Sequence, residues 1–536
     1  MAANDSGGFD RREFLGGAFL TTAGAATAGL AYWKSRQETE AEIDVTPQKD
    51  NPVKLGFIGV GRRGGALLRS ALNVPGSSIV ALCDVQEDAR NAARGDINGL
   101  VNRTRRELQG DDKGAVSDRE VHAKINSIPV KNVTLYSDYR DVLNDENVDA
   151  VVIATPQYLH GPMALDALEA GKHVYCEKAL ALTIGENRDI LELAKARPDQ
   201  VFQVGHQRHY SPLYRKVVEM VHTDHIGDVV GLRAQWNRND LVRRPSPNPA
   251  MERTINWRLY NDLSGGLTTE FASHQIDVMN WILGTHPDSV CGYGGVDWYS
   301  DGRDTEDNIH LIFNYKVPVL KRDAYGRPMK TGDGRAIYET KNGKVVRRDV
   351  RFTYTSIMQN AHLGPSELIL GRYGTLEVSL RGAEFFKEKK ARLDPDRIAE
   401  GTDPRRRLQK RVLTTGSTVD PTTAGLPRKS GEPVRGETTE EDLWVEHVGG
   451  VRGAYDKHET MLAIDSFLDC IRKAKANDNS FKADLSADVL IGVWGSVPAL
   501  MANIAMREQR IVYWKEFFPE ESEAAYFLDD AGELRA

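Results

Sequence analysis

Apolar residues come in short unbroken blocks over the first third of this chain and in alternation after about Gly227. The blocks KLGFIGV, SSIVALCDV, VDAVVIAT, KHVYC and VFQVG are bounded by turn residues, the pattern of strands buried on both faces. Helical patterns separate them, including Tyr139 to Leu143 and roughly Gly161 to Ala170. Strands alternating with helices at this spacing predict right-handed crossovers and a doubly wound parallel sheet. Period-two alternation then predicts strands over Gly227 to Trp236, Val290 to Val296, Asn308 to Tyr315 and Arg351 to Ser356, with a hairpin over Ser366 to Leu380. Met461, Ile464, Phe467, Leu468 and Ile471 mark an amphipathic helix from Lys457 to Ala474, and a second apolar helix spans about Ala487 to Met506. Both are expected to complete the fold rather than bind a membrane.

The first block runs into Gly59-x-Gly61-x-x-Gly64 and then into a helical pattern. Gly59 permits a tight turn, Gly61 lets the backbone approach a pyrophosphate, and Gly64 allows the helix to pack closely on the sheet. Phosphates would sit on that helix's N-terminus, where amide donors and the helix dipole favour negative charge. The second block ends in Asp84, where a carboxylate can accept hydrogen bonds from a ribose. Asp84 favours NAD, whereas Arg62 and Arg63 beside the turn suit a 2'-phosphate and leave NADP open.

At the other end, Asp10-Arg11-Arg12-Glu13-Phe14-Leu15 precedes an uncharged Gly/Ala/Thr-rich run to Trp33, which resembles a twin-arginine export signal. A retained segment 14–33 would instead anchor the protein, since about 20 residues span a bilayer. The twin-arginine route carries folded proteins, which suits a cofactor acquired before export and held tightly. The 536 residues allow two or more domains, and a net charge of -7 advertises no nucleic-acid partner. Four cysteines with no C-x-x-C pair and no His/Cys cluster of zinc spacing predict neither a disulfide framework nor a metal site; Cys83 and Cys176 read as buried thiols.

Chemistry in such sheets gathers at the carboxyl ends of the strands, and KHVYC ends in Glu177-Lys178-Ala179. Lys178 either holds a substrate hydroxyl or is a surface cation paired with Glu177. Further on, Glu270, His274 and Asp277 follow the pair Gly265-Gly266 at helical spacings of four and three. His274 titrates near neutral pH and can take a proton from an alcohol, with Asp277 orienting the ring or pairing elsewhere. Arg208 and Tyr210, with His206 and Gln207, follow VFQVG and are candidates to line the cleft. Arg243, Arg244, Asn256, Trp257 and Arg258 form a second polar and aromatic group, with Trp257 suited to a sugar ring or to the core.

The glycine turn, the segment Ala154-Thr155-Pro156 with His160, the segment AGKHVYCEK and the E-x-x-x-H-x-x-D helix together resemble the Gfo/Idh/MocA oxidoreductases, named for glucose-fructose oxidoreductase and inositol dehydrogenase. The resemblance covers roughly Lys54 to Leu283 well and the rest to Trp514 more weakly. It implies a catalytic set of Lys178, His274 and Glu270. Thr155, Pro156, His160 and Glu177 are expected at the cofactor, and Arg208, Tyr210, Trp257 and Asp277, from their places in the sequence, at the substrate. Ala179 replaces the customary proline, and Glu270 stands where an aspartate is common. The resemblance also implies a second domain built on a large, mostly antiparallel open β-sheet that often forms the oligomer interface.

The expected organisation is therefore α/β followed by α+β: a signal segment 1–36, a linker 37–52, a Rossmann domain 53–205, a substrate and oligomerisation domain 206–515 and a tail 516–536. Insertions fall at about 316–348, read as an exposed hairpin, and 385–455, read as an arm or as disorder. The expected function is an exported, periplasmic NAD(P)-dependent oxidoreductase acting on a sugar, glycoside or polyol, assembled as a homo-oligomer, dimer or tetramer. A glycoside-cleaving enzyme that oxidises its sugar transiently and a non-catalytic sugar-binding protein are the alternatives.

Overall fold

The computed structural model describes residues 52–109, 133–323, 326–332, 336–379, 382–387, 411–413 and 454–519. The signal segment, almost all of the linker, most of the 385–455 insertion and most of the tail lie outside the described residues.

The first sheet contains β1 (Val53–Ile58), β2 (Ser77–Cys83), β3 (Thr134–Tyr136), β4 (Ala150–Ile153), β5 (His173–Cys176) and β6 (Phe202–Val204). Their order, β3-β2-β1-β4-β5-β6, is wholly parallel and is the doubly wound nucleotide-binding order, with its switch point between β1 and β4. The crossovers are α1 (Arg62–Ala71), α2 (Glu87–Gln109), α3 (Tyr139–Asn144), α4 (His160–Glu169) and α5 (Ile184–Lys195), which bury both faces of the sheet. Sequence-predicted strands and helices fall within a few residues of these bounds. Helix α5 begins in a reciprocal capping box: Thr183 Oγ1 accepts the Glu186 amide at 3.1 Å, and Glu186 accepts the Thr183 amide at 3.1 Å. Such a cap contributes about 1 kcal/mol.

After α6 (Pro212–His222) the second sheet forms from β7 (Val229–Trp236), β8 (Ser289–Gly295), β9 (Asn308–Pro318), β12 (Arg347–Ile357), β13 (Pro365–Gly371), β14 (Gly374–Ser379), β15 (Gly382–Lys387), β16 (Arg411–Leu413) and β17 (Val512–Tyr513). It is antiparallel except where β7 runs parallel to β12. Along β9, Ile309, Leu311, Phe313 and Tyr315 point inward while His310 and Ile312 face out. The inner face packs on α7 (Ser273–Leu283) and α9 (Val489–Glu508). One residue ties the three elements together: Asn280 accepts from Tyr315 Oη at 2.9 Å and donates to the Trp494 carbonyl at 2.7 Å.

Between β9 and β12 the predicted hairpin is present, with the short strands β10 (Thr340–Lys341) and β11 (Lys344–Val345). It is pinned at its base, because Arg322 binds Asp224 at 2.8 Å and Asp228 at 2.6 Å.

The last two long helices, α8 (Ala454–Lys475) and α9, return to the first sheet. Gln203 Nε2 donates to the Ala463 carbonyl, Leu180 N donates to Ser496 Oγ and Val204 N donates to the Ala487 carbonyl, each at 2.8 Å. The segment Phe481–Glu508 is long and apolar enough to cross a membrane, yet 83% of its apolar window is buried inside the protein. It is a core helix: burying each large apolar side chain stabilises by about 1.5–3 kcal/mol.

Candidate active site

The carboxyl ends of β1, β2, β4 and β5 open into a cleft of about 950 Å³ whose far wall comes from β7, α7 and the segment before α7. At its near wall, Gly59 adopts φ +82°, a conformation that favours glycine. A Cβ on Gly64 would lie 1.9 Å from the Gly59 carbonyl oxygen, so α1 can approach the strand only through a glycine there. Helix α1 starts at Gly61 with no side-chain cap, which leaves first-turn amides to the cleft. Asp84 is fixed by main chain: Oδ2 accepts from Val60 N at 3.0 Å and Oδ1 from Gln86 N at 2.9 Å.

Two expected cofactor residues, His160 and Glu177, line the cleft and are themselves buried against protein groups. His160 is buried, with Nδ1 2.7 Å from the Ala179 carbonyl and Nε2 2.9 Å from the Thr155 carbonyl. The ring bridges the β4 turn and the β5 turn, donating to one carbonyl according to its tautomer. Burial lowers its pKa, and the two carbonyls oppose that shift. Glu177 is also buried and accepts from Arg63 Nε at 2.8 Å. That pairing draws Arg63 to the β5 end of the cleft and leaves exposed Arg62 nearer the first turn of α1.

On the far wall the helical register is broken. Residues Thr268–Ala272 form a π turn that leads into α7, so Glu270 sits on a wider turn than the regular helix expected from sequence. A π turn lengthens the amide-to-carbonyl reach and is frequent at functional sites. Here Lys178 Nζ donates to the Glu270 carbonyl at 2.8 Å and to the Thr269 carbonyl at 3.3 Å. Ala179 follows Lys178 across a cis peptide bond. The Glu270 carboxylate accepts from Arg258 Nε at 2.8 Å, and that guanidinium lies over the Trp257 ring at 4.1 Å. His274, 8% exposed, makes no hydrogen bond among the described residues and packs against Trp236 with ring centroids 5.3 Å apart.

The electrostatics separate these three groups. Burial pushes the His274 pKa well below its ordinary value, and Lys178, Arg208, His206 and Arg63 push the same way, so the imidazole is neutral at pH 7. Burial likewise lowers Lys178, opposed by Glu270 and Glu177. Burial raises the Glu270 carboxyl, but Arg258 and Lys178 outweigh it and hold the group ionised. A neutral base, a hydrogen-bond-donating lysine and a carboxylate thus meet where the end of β5 touches the π turn.

Residues 53–206 match the profile of the oxidoreductase family with an NAD-binding Rossmann fold, and residues 214–320 match the GFO/IDH/MocA C-terminal domain. Both matches are to domains of the Gfo/Idh/MocA family. Inositol 2-dehydrogenase of Salmonella paratyphi B is 26% identical over 233 residues, 43% of this chain and 54% of that protein. Glycosyl hydrolase family 109 protein 2 of a Shewanella species is 34% identical over 195 residues, 35% of this chain and 37% of that protein. The chain thus spans about half the length of the first curated relative and less of the second. Myo-inositol 2-dehydrogenase of Lactobacillus plantarum superposes with a TM-score of 0.51 at 18% identity, covering 86% of this chain and 99% of that one, which places the fold.

A dinucleotide fits the near wall: a Cβ at Gly61 would meet open space, and the uncapped amides and the fixed Asp84 carboxylate face the same cleft. Gly59, Gly61, Arg62, Gly64, Thr155 and Pro156 line or shape that wall. Of the residues expected at the substrate, Trp257 and Arg208 line the cleft, with Arg208 held by Glu367 at 2.5 Å. Tyr210 and Asp277 do not. Tyr210 is buried in the core behind the cleft. Asp277 lies on the inner side of α7, accepting from His209 Nε2 at 3.0 Å and 3.4 Å from His206 Nδ1, so it faces those rings rather than His274.

Gln157 and Trp236 had no place in the expected site. Gln157, 1% exposed, accepts from Gly265 N at 3.2 Å and Thr269 Oγ1 at 2.7 Å and so joins the Rossmann sheet to the π turn. Its position just beyond β4 was the available signal.

Proposed function

We infer that this protein is an exported NAD-dependent oxidoreductase that oxidises a hydroxyl-bearing carbon of a sugar, glycoside or polyol and keeps its cofactor tightly bound. The observation that carries this reading is the convergence of neutral His274, Lys178 and Glu270 on the cleft that also contains the dinucleotide wall. The inositol 2-dehydrogenase relative supports the alcohol class. The paired Arg11 and Arg12 before an uncharged run support export through the twin-arginine machinery. The outward Tyr293, Ile312 and Val230 of the second sheet support assembly as a homo-oligomer.

When bound, the nicotinamide supplies a two-electron acceptor for the hydrogen on the carbinol carbon. Lys178, steadied by two carbonyls, donates to the substrate oxygen and favours its loss of a proton. His274 takes that proton; its ring has no competing partner among the described residues and burial keeps it unprotonated. Glu270, held ionised by Arg258, positions neighbouring hydroxyls. Trp236 and Trp257 offer aromatic faces to the ring and keep water from the reacting carbon.

A second reading has a specific observation in its favour, the stretch 34% identical to the family 109 glycosyl hydrolase. In it the same oxidation labilises a glycosidic bond and the cofactor returns to its starting state. The deciding experiment is purification without added cofactor, followed by absorbance near 340 nm (roughly, a property of reduced nicotinamide) while polyols and aryl glycosides are added. Lasting reduction by a polyol supports the dehydrogenase. Release of aglycone without net reduction supports the hydrolase, and no response with NAD supplied overturns both.

A further inference from the structure

The segment between β7 and the π turn supplies Thr254, Ile255, Trp257 and Arg258 to the cleft, together with Arg244. It carries five arginines, Arg238, Arg243, Arg244, Arg253 and Arg258, and four of them have carboxylate partners. Arg238 binds Asp240 at 3.0 Å, Arg253 binds Asp262 at 2.5 Å, Arg258 binds Glu270 at 2.8 Å, and Arg243 binds both Glu252 and Asp301. The Arg244 side chain has no carboxylate, carbonyl or ring partner among the described residues. Nearby Glu252 turns to other donors: its Oε1 accepts from Arg243, from Asn256 at 3.1 Å and from Tyr260 at 3.3 Å, and Arg244 is not among them.

The main chain of Arg244 is nevertheless held at both polar atoms. Its amide donates to Asn256 Oδ1 at 2.7 Å, and its carbonyl accepts from Asn256 Nδ2 at 2.9 Å. Asn256 is buried and lies two residues before Arg258, whose guanidinium holds the catalytic carboxylate. The loop therefore presents one unneutralised guanidinium from a fixed backbone, in the same cleft as Lys178 and His274. Guanidinium stays charged at any physiological pH, and its fork of donors matches the oxygens of a carboxylate or phosphate.

We propose that the substrate is an acidic sugar, and that Arg244 binds its carboxylate or phosphate while another hydroxyl is presented to His274 and Lys178. This assignment rests on the oxidoreductase reading. Arg244 acts in specificity and takes no part in the bonds that change, so its loss raises KM for the acid more than it lowers kcat.

The test is a calorimetric titration of the full-length protein, saturated with NADH, with the pairs glucuronate and glucose, galacturonate and galactose, and with glucose 6-phosphate. Nicotinamide reduction is followed in parallel with NAD. At least one acid is expected to bind tenfold or more tightly than its neutral partner, and added salt weakens only the acid. The ranking of carboxylate against phosphate tells which anion the site takes. Arg244→Gln is expected to erase the difference between acid and neutral sugar without moving the melting temperature, and Arg244→Lys to restore part of it. Acids that bind no better than neutral sugars, or a preference that survives Arg244→Gln, overturn the proposal. Oxidation of neutral sugars without acid preference overturns it and leaves the oxidoreductase standing; a protein that neither binds nor oxidises either kind loses both readings.

Discussion

The two walls of the cleft are built from different materials. The near wall recognises through main chain: uncapped amides at the start of α1, glycines that bring them close, and one carboxylate set by two further amides. The far wall, which Lys178 reaches from the end of β5, is made of side chains: hydrogen bonds place Lys178 and Glu270, packing on Trp236 places His274, and the main chain alone places Arg244. A main-chain wall is broken by adding atoms, and a side-chain wall by removing them. A constant ligand suits the first and a variable one suits the second.

The largest effect should come from deletion on the far wall. His274→Ala is expected to lower kcat by about 100-fold to 10,000-fold, the usual share of a general base. NAD affinity measured by fluorescence titration should stay within a factor of about three, since the main-chain wall is untouched. A comparable loss of NAD binding would mean that the two walls are not separable. The wild-type pH profile sharpens the same point. Because His274 must be neutral and its pKa lies below 6.5, kcat/KM should still be full at pH 6.5 and fall only at lower pH. Lys178 must be charged, and with its pKa below 10.5 the alkaline limb should fall before that value.

Addition on the near wall should come next. Gly64→Val places carbon atoms against the Gly59 carbonyl and should destabilise the protein by about 1–3 kcal/mol in urea denaturation, with NAD affinity reduced in parallel. Unchanged stability would show that α1 is not seated by close approach. A smaller effect is expected where the covering segment meets the chemistry. Arg258→Gln removes the partner that keeps Glu270 ionised, so the acid limb of kcat/KM should move up in pH and KM rise about tenfold, with Arg258→Lys recovering part. The smallest tests the carboxylate of the near wall: Asp84→Ala should reduce the preference for NAD over NADP several-fold, about 1 kcal/mol, in competitive binding.

The near wall was legible because it is sequence-local. Gly59, Gly61 and Gly64 lie on one turn, and Asp84 ends the next strand, so spacing alone carries the geometry. Strand alternation gave the second sheet equally well, since one face is buried and the period is two. The far wall was legible only in its residue types. Regular helical spacing puts Glu270, His274 and Asp277 in a stack, but the π turn changes the register and sends Asp277 to two histidines. Whether Arg208 and Tyr210 reach the cleft depends on their seating against Glu367 and the core, partners remote in sequence. Pairings such as Arg258 with Glu270, and the solitude of Arg244, are tertiary facts that no local pattern records.

The return of α8 and α9 to the first sheet sets an order of events during synthesis. Hydrogen bonds join residues 316, 260 and 396 positions apart, from Leu180 to Ser496, from Gln203 to Ala463 and from Arg472 to Gly76. A ribosome thus releases the nucleotide-binding strands long before the helices that cover β6 exist, and the earliest-made layer is the last to be sealed. Contacts of such long range slow folding. Truncation within α9 would therefore be felt first at the opposite end of the gene product, in the sheet that was translated hundreds of codons earlier.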